Sequence, residues 1–153
     1  MNEHNVWMRW ALKEAQKAYS QKEVPVGAVV IEKDRIIGRG YNQTITLQDP
    51  TAHAEMIAIS AAANALKSWH LEDCSIYVTL EPCAMCAGAI VLARIKRLVF
   101  GTLDPKSGAC GSLRNIVQDH RLNHRVDVVS GVCEQEASEL LKSFFQNLRK
   151  LTS

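Results

Sequence analysis

The sequence predicts an α/β protein in which helices lie on both faces of one mixed five-stranded sheet, three layers in all. Three observations carry this. Five short runs rich in β-branched residues are interleaved with helical patterns. After an opening helix and a hairpin, strands alternate with helices, the order that builds a sheet covered on both faces. No repeat, low-complexity tract or flexible linker divides the 153 residues, so a single domain over 1–153 is expected.

The first helix is read over residues 6–18, where Trp7, Trp10, Ala11, Ala15 and Ala18 recur at three- and four-residue spacing with lysines on other faces. Residues 26–31 form a β-branched run, Lys33 and Asp34 a polar turn, and Ile36 and Ile37 resume a second strand over residues 35–41, which together read as a β-hairpin. Asp49, Pro50 and Thr51 make a turn that offers Thr51 as N-cap to an alanine-rich helix over 52–66. Residues 75–80 read as a buried strand. Pro82 suits the first turn of the next helix, whose body at 84–93 is apolar nearly all round and must be covered on every side. A fourth strand is expected at 97–101, a Gly-containing loop at 104–111, a fifth strand at 126–132 and a last helix over 134–150.

Composition narrows the function classes. Hydrophobic residues make up 47% and charged residues 22%, enough to close one well-buried core. The charged start has neither the apolar run nor the cleavage site of a secretory signal. The longest apolar stretches, 58–63 and 84–93, are far shorter than the roughly 20 residues of a membrane-spanning helix. A soluble cytoplasmic protein with no membrane partner is the expectation. Five cysteines, an odd number, argue against a disulfide framework there. From Arg94 onward ten Lys or Arg stand against six Asp or Glu, so that segment is +4 and the remainder −2. A basic final third permits a polyanionic partner, although ordinary solvated surfaces show the same asymmetry.

The chemistry is concentrated in His53-Ala54-Glu55 and, further on, Pro82-Cys83-Ala84-Met85-Cys86. Separately, the first reads as a helix-capping histidine and the second as a redox dithiol or half of a structural zinc site. Together they make a ligand set. On a helix beginning near Pro82, Cys83 and Cys86 are one turn apart, and their thiolates sit where the helix dipole and free N–H groups favour negative charge. Zinc suits two thiolates and one imidazole, and with no fourth matching ligand a position is left for water, as in a catalytic site. His53 and Glu55, two apart, fall on opposite sides of a regular helix, so both reach one site only at the helix N-terminal end. Two helix N-termini are therefore expected to converge on the metal, with Glu55 as proton carrier rather than ligand. Cys74, Cys110 and Cys133 have no motif partners and read as small buried hydrophobes.

H-A-E with P-C-x-x-C resembles the signature of the zinc nucleoside and nucleobase deaminases. Further segments, E-V-P-V-G-A-V at 23–29, D-P-T-A-H-A-E at 49–55, Y-V-T-L-E-P-C-A-M-C-A-G-A at 77–89, G-S-L at 111–113, N-H-R at 123–125 and F-F at 144–145, resemble the bacterial tRNA-specific adenosine deaminases. That resemblance implies a cytidine-deaminase-like fold, a homodimer with one Zn2+ per subunit held by His53, Cys83 and Cys86, and conversion of adenosine to inosine at the wobble position of a tRNA anticodon. Zinc would lower the pKa of a water from about 15.7 toward 7, while Glu55 would take up and return the proton as adenine C6 is attacked and ammonia leaves. By the same resemblance Asn42 contacts the target nucleoside and Val26 walls the base pocket. Asp104 touches neighbouring nucleotides, and Phe145 and Arg149 hold the flanking anticodon strand by stacking and phosphate contact. The family's tail often carries two adjacent basic residues; here the pair in Leu148-Arg149-Lys150 is shifted. On their residues alone, Asn42 and Asp104-Pro105 read as turn formers, and at least one of Phe144 and Phe145 as core. A deaminase of a free base or nucleotide is the nearest rival, since the metal motif is common to both.

Overall fold

The computed structural model describes residues 2–152; Met1 and Ser153, at the ends of the expected domain, lie outside the described residues. The chain runs α1 (Glu3–Ser20), β1 (Gly27–Glu32), β2 (Arg35–Tyr41), α2 (Ala54–Leu66), β3 (Ser75–Leu80), α3 (Ala84–Leu92), β4 (Arg97–Thr102), β5 (Asp127–Val129) and α4 (Glu134–Thr152). The five strands form one mixed sheet in the order β2-β1-β3-β4-β5. β1 pairs antiparallel with β2 and with β3, Ala28 opposite Val78 in the latter, whereas β3–β4 and β4–β5 are parallel. Lys33 and Asp34 turn the hairpin with both φ angles positive, 50° and 61°, as a two-residue hairpin loop demands.

Strand alternation divides the core into two layers. Ala28, Val30, Ile76, Val78, Leu98 and Phe100 face α2 and α3, meeting Ala54, Ala58, Ala62, Ala87 and Ile90. Val29, Ile31, Tyr77 and Val99 point the other way, against Met8, Ala11 and Leu12 of α1 and Ala137 of α4. This is the expected α/β/α architecture. The alanines of α2 allow that helix to lie close on β2. A Cβ at Gly38 would stand 2.3 Å from the Ala58 carbonyl oxygen, and one at Gly40 would stand 2.3 Å from that of Ala54.

Several boundaries differ from expectation. α1 begins at Glu3 rather than Val6, because the Asn2 side chain accepts a bond from the His4 N–H at 2.7 Å and caps it. Thr51 does not cap α2. Its N–H and hydroxyl are both bound to Asp49 Oδ1, at 2.8 and 2.7 Å, and the chain stays extended to His53, which is the N-cap. Pro82 likewise lies outside α3, one residue before the N-cap Cys83. α3 is not covered on every side: Leu92 is 73% exposed and nothing lies within 4 Å of a Cβ placed on Gly88. β5 is three residues long instead of seven. Gly131 turns the chain with φ 81°, although its N–H still reaches the Gly101 carbonyl at 3.1 Å.

Candidate active site

The start of β1, the end of β2 and the end of β3 share one edge of the sheet, and the N-termini of α2 and α3 arrive there together. His53 and Cys83 are the N-caps of these helices, both extended (φ −80°, ψ 153° and φ −75°, ψ 177°), and neither side chain caps its own helix. Both are therefore free to face each other. His53 Nδ1 lies 3.5 Å from Cys83 Sγ and 3.5 Å from Cys86 Sγ. The three donor atoms lie within 4.8 Å of one another, and no other such cluster occurs among the described residues.

These donors fit zinc. Nitrogen at about 2.05 Å and sulfur at about 2.3 Å from a tetrahedral ion are about 3.5 Å apart, the spacing found for both pairs. Their protonation points the same way. The Cys83 thiol is pushed down to about 3 by a hydrogen bond from Cys86 and then by His53, while Cys86, hydrogen-bonded to that thiolate and buried, is pushed up. Two sulfurs thus share one proton, and a cation between them takes that proton's place. The bond to the Cys83 thiolate raises His53.

Glu55, in the first turn of α2, is 4% exposed, and burial pushes its carboxyl up to about 7. It shares a cavity of about 320 Å³ with His53, Cys83, Val24, Val26, Asn42, Thr44, Leu80, Glu81, Asp104 and Ser107. The structure thus brings Val26, Asn42 and Asp104 to the donor cluster, and Cys86 lies buried behind it. Phe145 and Arg149 are not in this cavity. They line a second groove, about 450 Å³, with Leu103, Lys106, Leu141 and Lys142, on the outer side of the loop that contains Asp104. Of the two neighbouring phenylalanines, Phe144 is the core residue, 8% exposed and edge-on to Tyr19, and Phe145 is 41% exposed. A hollow of about 470 Å³ among His70, Glu72, Arg94, Lys96, His124, Arg125 and Asp127 mixes both signs of charge and has no metal-binding cluster.

Two buried carboxylates beside the cavity escape sequence reasoning. Glu23, 0% exposed, accepts the N–H groups of Ile45 and Thr46 and the Thr46 hydroxyl, fixing the loop after Asn42. Burial works to raise its pKa, but these bonds prevail and hold it below the usual glutamate range. Glu81, 2% exposed, accepts from Asp104, Cys110 and Ser112 across the cavity. A signal existed for both: each is an acid inside or beside an apolar strand run, where an unpaired charge is not tolerated.

A family model described as MafB19-like deaminase matches residues 2–149. The tRNA-specific adenosine deaminase of Bacillus subtilis (strain 168) is 49% identical over 150 residues, 98% of this chain and 93% of that protein. The enzyme of the same name from Haemophilus influenzae is 50% identical over 144 residues, 94% of this chain and 83% of its own. Among solved structures, one from work on A-to-I editing by tRNA:A34 deaminases at the wobble position of transfer RNA superposes with a TM-score of 0.86 at 46% identity, covering 89% of this chain and 99% of its own. With a donor cluster and a buried carboxylate set in a cytidine-deaminase-like fold, and with relatives of this identity over nearly its whole length, the chain belongs to the MafB19-like deaminases and, within them, to the tRNA-specific adenosine deaminases.

Proposed function

We propose that this protein converts adenosine to inosine at the wobble position of a tRNA anticodon, by hydrolysis with release of ammonia. The observation that carries the reading is one cavity lined by His53, Cys83 and Glu55, with Cys86 buried behind it to complete the donor set and with the Glu55 carboxyl pushed up to about 7 by burial. In this reading His53, Cys83 and Cys86 hold one Zn2+ per subunit, which supplies the Lewis acidity that makes water a nucleophile near neutral pH. Glu55 can both hold and give up a proton there. It takes one proton from the attacking water and delivers it to the purine ring as the C6–O bond forms, then carries the remaining proton of the new C6 hydroxyl to the amino group as the C6–N bond breaks. Water and adenosine are thereby accounted for as inosine and ammonia.

Asn42, 7% exposed, offers its amide to the nucleoside, Val26 packs on the base, and Asp104 meets the next nucleotides at the cavity mouth. The outer groove supplies an apolar surface in Leu103 and Phe145 with Lys106, Lys142 and Arg149 around it, which suits stacked bases and their phosphates. A single deaminase domain over 1–153, a homodimer and a cytoplasmic location belong to the same reading. The open side of α3 at Gly88 and Leu92 gives a second copy an apolar surface to cover. Among the described residues no helix is long and apolar enough to cross a membrane.

The test is to incubate the zinc-loaded protein with an anticodon stem–loop and, separately, with free adenosine, then locate inosine by sequencing. Conversion of the wobble adenosine is expected, with the stem–loop strongly preferred. Preference for the free nucleoside, or inosine elsewhere in the loop, overturns the reading.

A further inference from the structure

Glu81 ends in a position that its strand alone does not explain. Its backbone continues β3, with the N–H bound to the Thr102 carbonyl at 2.9 Å, but its side chain is wrapped by a loop that begins more than twenty residues later. One carboxylate oxygen accepts from the Asp104 N–H at 3.0 Å and from the Ser112 hydroxyl, and the other from the N–H groups of Cys110 and Ser112, each at 3.0 Å. Gly108 closes over it so tightly that a Cβ there would lie 2.3 Å from the carboxyl carbon. The order spreads outward from this point: Asp104 Oδ1 accepts from the N–H groups of Lys106 and Ser107, at 3.1 and 3.2 Å, and the Gly108 N–H donates to the Asp104 carbonyl at 2.8 Å.

The loop ordered in this way is a partition. Asp104 and Ser107 wall the cavity that holds His53 and Glu55, and Leu103 and Lys106 wall the groove that holds Phe145 and Arg149. Four donors converge on one carboxylate, which accepts at both oxygens; an amide in its place offers one acceptor oxygen and turns an NH2 group toward N–H donors that it cannot bond. We propose that Glu81 is a positioning residue for RNA: by fixing the loop from Asp104 to Ser112 it sets the distance between the base cavity and the outer groove, so that one strand occupies both. This rests on the tRNA deaminase reading and adds a substrate-positioning role at the same site. Because the loop acts on how RNA is seated and not on the bonds that change, its loss falls on KM more than on kcat.

The experiment compares full-length, zinc-loaded wild type with Glu81→Gln and Ser112→Ala, measuring zinc content, amide hydrogen exchange, and kcat and KM on an anticodon stem–loop. For Glu81→Gln the expectation is unchanged zinc, exchange at Asp104, Cys110 and Ser112 faster by about tenfold or more, and KM raised about tenfold with kcat within about threefold of wild type. Ser112→Ala, on an exposed residue, removes one donor only and is expected to raise KM by about threefold; it decides the matter alone where Glu81→Gln does not fold. A fall in kcat at unchanged KM, or loss of zinc, overturns the proposal, since Glu81 would then be supporting the neighbouring Cys83. Unchanged exchange in the loop overturns it as well. Absence of inosine with the wild type sinks the parent reading, and the exchange measurement still reports separately whether Glu81 orders the loop.

Discussion

Glu55 and Glu23 are both buried glutamates, and their surroundings push them in opposite directions. Around Glu55 burial prevails and the carboxyl rises to about 7; around Glu23 hydrogen bonds from Thr46 and Ile45 overcome the burial effect and the carboxyl falls. The first is suited to moving a proton and the second to keeping its charge. Glu55→Ala is accordingly expected to keep zinc and a near-wild-type thermal midpoint while deamination drops by about 10²- to 10⁴-fold; wild-type turnover in a stopped assay refutes the role. Glu23→Gln is expected to lower stability at pH 7 by about 2–4 kcal/mol, measured by urea unfolding, because it weakens three bonds to a charge. Its pH dependence has a definite sign. A carboxyl held below its unfolded value stabilises the fold fully above the ordinary glutamate value of 4.5, and this contribution is lost as pH falls through the folded-state value. The wild type is therefore expected to lose its advantage over Glu23→Gln on acidification below that value. The cluster of His53, Glu55, Cys83 and Cys86 is legible in the sequence because close spacing within two short motifs defines it. For Glu23 and Glu81 the sequence signals an acid beside an apolar strand but not its partners, which are mostly backbone N–H groups of distant loops, and an N–H group leaves no mark on the sequence.

At the scale of elements, the position of α2 decides where His53 stands. The helix rests on bare Cα atoms at Gly38 and Gly40, so a methyl at either drives it off β2. Gly38→Ala and Gly40→Ala are each expected to destabilise by about 1–3 kcal/mol, or more where the backbone cannot yield. Only Gly40→Ala, which meets Ala54 beside His53, is expected also to weaken zinc binding, measured by competition with a chromogenic chelator. Equal zinc affinity in the two variants refutes this assignment. Strands and helices were readable from apolar periodicity, and so was the need for a site at helix ends. The caps were not. Thr51 and Asp49 both carry a capping side chain, and the short turn between them binds the Thr51 hydroxyl before the helix can use it. The excess coverage expected for α3 failed for a different reason, because periodicity reports which residues are apolar and not whether the same chain buries them.

On the scale of the whole molecule, the donor set ties α2 to α3, the two helices of one layer, across the sheet's antiparallel joint. Removal of metal is expected to loosen that layer. At free zinc about a thousandfold above its dissociation constant, linkage stabilises the folded state by about 4 kcal/mol, so chelation is expected to lower the thermal midpoint by roughly 10 °C. A scanning calorimetry trace unmoved by chelator and by readded zinc counts against a metal held at this position. The joint also has a consequence in time. His53 follows the hairpin, whose strands are neighbours in sequence, whereas Cys83 and Cys86 follow β3, which reaches β1 only when residues as distant as Ala28 and Val78 come together. Local pairings close early and distant ones late. A newly made chain therefore passes through an interval in which the two cysteines exist as a pair without their histidine. The complete donor set is therefore expected to form only when the two halves of the sheet meet, and zinc added before that point finds two of its three ligands.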